Sequence, residues 1–142
     1  MEELFELKSY IEQRRYPEAL SLIEEMEEMS RDDKINKIGS FIEIFLLHLI
    51  KKHAEKRTTR SWEVSMKNAL DNIEDVNKRR KAGGYYLNQE ELEAIIDRRY
   101  QRAMRRASLE AFEGQFDESE LAKKVDENQI KKEALQSVIS GQ

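Results

Sequence analysis

The chain has 142 residues, enough for one domain that buries roughly two-thirds of the surface its unfolded form exposes. One Pro, five Gly and 38% charged residues leave few turn signals for β architecture and many good helix formers, so the class is all-α. The absence of Cys excludes disulfides, thiolate zinc sites and thiol catalysis and suits a reducing compartment.

The first predicted helix covers Glu2 to about Arg14, with Leu4, Leu7, Tyr10 and Ile11 forming one apolar stripe. Nothing in MEELFELK resembles a secretion signal, and a cytoplasmic location is expected. Pro17 suits the first turn of a second helix, which runs to about Met29. Its expected inward residues are Ala19, Leu22, Ile23, Met26 and Met29, while Glu24, Glu25, Glu27 and Glu28 crowd the other side. Ser30 with Asp33 resembles a capping box and predicts the start of a third helix. That helix is apolar nearly all round, from Ile35 and Ile38 to Leu49 and Ile50, so it is the expected hub of the bundle. Glu43 and His48 interrupt its apolar run, which is about half the length a bilayer crossing needs. The basic group Lys51, Lys52, Lys56 and Arg57 marks its C-terminal end.

Thr58, Thr59 and Ser61 compete to cap a fourth helix with the stripe Trp62, Met66, Ala69, Ile73 and Val76. Gly83-Gly84 predicts a loop, and Asn88 with Glu91 starts a fifth helix that ends near Gly114. Asp117 with Glu120 caps a short helix, and another from about Glu127 buries Ile130, Leu135, Val138 and Ile139. The predicted fold is therefore a single all-α bundle of about five main helices over residues 1–114. Residues 115–142 form a short helical extension, packed on the bundle or mediating association.

Charge alternates along the chain: net −7 over residues 1–33, +5 over 34–70, −3 over 71–97, +5 over 98–106 and −4 thereafter. RRYQRAMRR places Arg98, Arg102, Arg105 and Arg106 within about 100° of arc, with Arg99 at the edge. Such a stripe can grip phosphates, but an acidic chain with no recognised nucleic-acid motif favours pairing with the acidic second helix or with a partner.

His48 could act as a base if a cleft reached it; a core histidine bonded to an acid or carbonyl is the plainer expectation. His53 is five residues along and points about 140° away, so the two rings cannot share a metal. Glu43, flanked by Leu46, Leu47 and Ile50, is expected to be partly buried and then needs a partner, which Arg57, Arg60 or an arginine of the fifth helix can supply. Glu24, Glu27 and Glu28 make a poor cation site without a His or rigid loop. Trp62 is expected as a core anchor with its N–H bonded near the helix junction. Phosphate-loop, dinucleotide and nucleophile-elbow motifs are absent.

In order along the chain, LSLIEEMEEMSR, LLHLIK and RSWEVSM resemble a family of small helical bacterial proteins, many cyanobacterial, termed domain of unknown function 29. The resemblance spans roughly residues 4–113. Glu24, Glu25, His48, Arg60, Ser61 and Trp62 match the family's recurring positions, and no catalytic or binding role comes with them. Three departures stand out: Ser30 where Gly is frequent, a short connector at Pro17, and an unlike tail after Gly114. The resemblance implies one buried polar network joining Glu24 or Glu25 to His48 and Arg60.

Function is therefore expected to be non-enzymatic: an intracellular protein-interaction or regulatory module without a cofactor, with a protein partner or a homodimer. Nucleic-acid or phosphate binding through Arg98–Arg106 is the first alternative. A hydrolase or metal-dependent enzyme around His48, Glu43 and the helix-two glutamates is the second.

Overall fold

The computed structural model describes residues 2–79 and 82–141. Among them are six α-helices: α1 (Glu2–Glu12), α2 (Tyr16–Glu55), α3 (Arg60–Asn77), α4 (Gln89–Glu110), α5 (Glu118–Ala122) and α6 (Glu127–Ser140). A 3-10 turn, Ala111–Gly114, follows α4. No helix among the described residues is long and apolar enough to cross a membrane.

The expected boundary at Ser30 does not exist: the second and third predicted helices are one helix of 40 residues, α2. From Glu18 to Ile38 the chain contains neither Pro nor Gly. Ser30, Asp32 and Asp33 cost only tenths of a kcal/mol each in a helix interior, so local capping chemistry loses to continued propagation. Arg14, at φ 59°, turns the chain out of α1, and Pro17 falls in the first turn of α2. Lys56, at φ 55°, ends α2 in the left-handed conformation typical of helix C-termini.

The described residues form two compact units, one up to Ile35 and one from Asn36. In the first, α1 has no buried residue. Its expected inward stripe is only partly covered, with Leu4 and Ile11 about half exposed. Ala19 and Leu22 are the buried apolar residues of this unit, while Met29, expected inside, is 61% exposed.

The second unit holds the core. Ile38, Ile42, Phe45, Leu46, Leu47, Leu49 and Ile50 are buried on α2; Met66, Ala69 and Ile73 on α3; Leu92, Ile96, Tyr100, Ala103 and Ala107 on α4. This part of α2 is the expected hub. The helix α6 packs along α4 and α3, burying Ile130, Ala134 and Val138. Local signals are realised at three starts. Thr59 Oγ1 accepts from the Trp62 N–H at the start of α3, and Asn88/Glu91 and Asp117/Glu120 form reciprocal capping boxes. The loop after α3 turns on Gly83 and Gly84, both with positive φ. It is closed by buried Asn77, whose Oδ1 accepts from the Leu87 N–H at 2.8 Å while its Nδ2 donates to the Leu87 carbonyl at 3.4 Å.

Candidate functional site

A polar seam crosses the core where residues 39–55 of α2 meet α4. Glu43 is buried, and three guanidinium groups converge on its carboxylate: Arg106 at 3.0 Å, Arg99 at 3.3 Å and Arg102 at 3.5 Å. Spacings of three and four residues put these arginines on one side of α4. The group carries two positive charges in excess. Arg99 is enclosed, and its guanidinium lies against Gly39, where a Cβ would come within 2.7 Å of Nε. Arg102 and Arg106 are respectively 62% and 47% exposed, so their remaining N–H donors face solvent.

About two turns further along α2, buried Lys51 donates to Glu110 at 2.9 Å. Its Nζ also stands 4.5 Å from the centre of the Trp62 ring, and the Arg57 guanidinium lies 4.8 Å from that centre. Trp62 is thus a half-buried ring with two cations over it rather than a core anchor, an arrangement its π-face favours. Next to it, Glu55, Arg57, Trp62, Glu110, Phe112 and Glu113 line an open cleft of about 360 Å³. The left-handed backbone of Phe112 and Glu113 shapes one wall.

His48 is half-buried, and its Nδ1 is enclosed without a hydrogen-bond partner, contrary to the expected acid or carbonyl. Burial pushes the imidazole below its ordinary value; Lys51 and Arg106 add to this, and Glu110 opposes it. His53 belongs to a separate contact, with Nε2 2.7 Å from Glu133 Oε2 on α6. At the α4–α6 interface the Tyr100 hydroxyl is buried and unpartnered, and burial, with Glu127 and Asp126 nearby, drives its ionisation far above the usual range. Lys131 bridges Glu127 and Asp97 there.

Among the expected site residues, Arg99, Arg102 and Arg106 meet at Glu43, whereas Arg105 pairs with Glu118 at 3.0 Å and Arg98 is exposed. Within the second unit the stripe pairs with Glu43 and Glu118. Glu24, Glu25, Glu27 and Glu28 are exposed and belong to the first unit; His48, Arg60, Ser61 and Trp62 belong to the second, with Arg60 and Ser61 exposed. Among the described residues, no group of three or more His, Asp or Glu side chains is placed to hold a metal ion.

One seam residue and one buried residue outside it escaped the sequence reading. Lys51 was assigned to the helix C-terminus, although it falls on the same face as Leu47 and Ala54, both buried. Asn77 continues the Met66, Ala69, Ile73 stripe by four residues, a buried polar position legible from spacing alone.

The fold and the seam define a small all-α protein with a buried carboxylate met by three guanidinium groups at the edge of its core. The chain belongs to the family described as Domain of unknown function DUF29, which matches residues 10–135. Neither a curated protein nor a solved structure matches it.

Proposed function

We propose that this chain is a non-enzymatic protein-interaction or regulatory module of the bacterial cytoplasm, docking through its N-terminal unit. One observation carries the reading. Within residues 2–35, Leu4, Phe5, Ile11, Tyr16, Leu20 and Met29 are between 49% and 70% exposed, against two buried apolar residues. Two helices cannot enclose a core by themselves, and apolar side chains exposed in such excess over the buried ones are available for association. The many carboxylates around them favour a partner that presents bases beside apolar groups.

Recovery of the protein from its native cells tests this reading. Phe5→Glu combined with Met29→Glu is expected to release the proteins that copurify with the wild-type chain while leaving its urea midpoint unchanged. An unaltered set of bound proteins would contradict it.

A second reading rests on the two uncompensated positive charges around Glu43, beside exposed Arg98 and Arg105: a nucleic-acid or phosphate binder. Affinity for mixed RNA or DNA that falls steeply with added salt, and is lost in Arg102→Glu, would favour it over the first.

A further inference from the structure

The outward face of α4 carries Arg98, Arg102, Arg105 and Leu109 at steps of four, three and four residues, a single helical stripe. Leu109 is 75% exposed, and the Arg102 and Arg105 side chains are 62% and 64% exposed. In the N-terminal unit, Leu20, Glu24 and Glu27 follow at steps of four and three, all exposed, with Glu28 beside them. Read in opposite directions, the two series have the same spacing and opposite charge. Because both helices rise equally per residue, a single antiparallel register meets three conditions at once. It sets Leu20 against Leu109, Glu24 against Arg105 and Glu27 against Arg102. The same register places Arg31 opposite Arg98, with Glu28 one turn away as the carboxylate Arg98 can reach.

We propose that the acidic stripe of one chain docks on the Arg98–Leu109 stripe of a second copy, which returns the identical contact. The inference rests on the docking role of the N-terminal unit and names its partner. A surface complementary to another surface of the same chain closes into a two-fold dimer when the contact is reciprocal. Arg102 and Arg105 are already approached by Glu43 and Glu118. A planar guanidinium has five donors and serves a second carboxylate without leaving the first. The charges set register and orientation, and exposed Tyr16, one turn before Leu20 on the same face, adds to the apolar area to be buried.

The test is solution mass across a dilution series for the wild-type chain and two charge-reversed variants, Glu24→Arg/Glu27→Arg and Arg102→Glu/Arg105→Glu. The wild-type chain should be a dimer. Each variant should associate at least about tenfold more weakly, because like charges then face each other. Mixing the two variants restores opposite charges at both contacts, so a heterodimer should form. Leu20→Asp, remote from Glu43 in the sequence, should also weaken the dimer and guards against a folding defect in the arginine variant. A wild-type monomer at the highest soluble concentration, or folded variants that fail to associate on mixing, would overturn the proposal. If native partners were still captured through Phe5 and Met29 in that case, the docking role would stand and only the second copy would be wrong.

Discussion

The two parts of α2 are one continuous helix, yet residues 16–35 bury Ala19 and Leu22 whereas residues 36–55 bury a nearly unbroken apolar series together with Glu43 and Lys51. Helix continuity therefore says little about where a core lies. Good local propensity carries the backbone through Ser30, and only the width of the apolar arc changes. From Ile38 onward that arc surrounds the helix, and α3, α4 and α6 enclose it. Before Ile35 it is a narrow stripe bordered by carboxylates.

Substitutions of similar chemistry should separate the two parts sharply. Leu46→Ala, at a fully buried site, is expected to cost about 2–5 kcal/mol in urea unfolding. Leu20→Ala, at a 58% exposed site, should change stability of the monomer by no more than about 0.5 kcal/mol. Comparable losses at both would erase the distinction.

The seam comes next. Glu43→Gln removes the carboxylate from three guanidinium groups and should cost about 2–3 kcal/mol, the low side for a broken buried pair because Arg102 and Arg106 can turn to water. An unchanged urea midpoint would show that the arginines do not need their acid.

Gly39→Ala presents two opposed effects. Alanine favours a helix interior by about 1 kcal/mol, but its Cβ would fall within 2.7–2.9 Å of the Arg99 guanidinium. Destabilisation is expected in the wild-type background and stabilisation when Arg99→Ala is also present. Equal effects in both backgrounds would mean that Arg99 yields without cost.

The smallest effect concerns His48. Its folded-state pKa lies below the ordinary 6.5 because of burial, reinforced by Lys51 and Arg106, so the unfolded chain binds the proton more readily as pH falls. Stability should decline from pH 6.5 downward, with a slope from this residue of at most about 1.4 kcal/mol per pH unit. His48→Gln should remove that component; a wild-type and variant difference independent of pH would exclude it.

Much of this was legible locally. Thr59, Asn88 with Glu91, Asp117 with Glu120, and Gly83-Gly84 act through neighbours within a few residues, and the structure uses each of them. Ser30 misled because a capping pattern is permissive: it serves only where the chain has another reason to turn. The hub position of residues 38–50 followed from hydrophobicity alone. The partners of Glu43 depend on which side of α4 faces α2, a tertiary choice among several basic segments, so one charge count fitted several arrangements. Trp62 escaped for the same reason. Its cations, Lys51 and Arg57, come from the preceding helix and connector, and its polar indole allowed either burial or a cation-lined site.

Amide hydrogen exchange along α2, measured over a range of protein concentration, addresses the contrast most directly. Amides of residues 38–54 should exchange only through global unfolding at every concentration, while those of residues 16–35 exchange far faster in dilute solution and gain protection as concentration rises. Uniform, concentration-independent protection from Ala19 to Ala54 would contradict the division of this helix into a core segment and a docking segment.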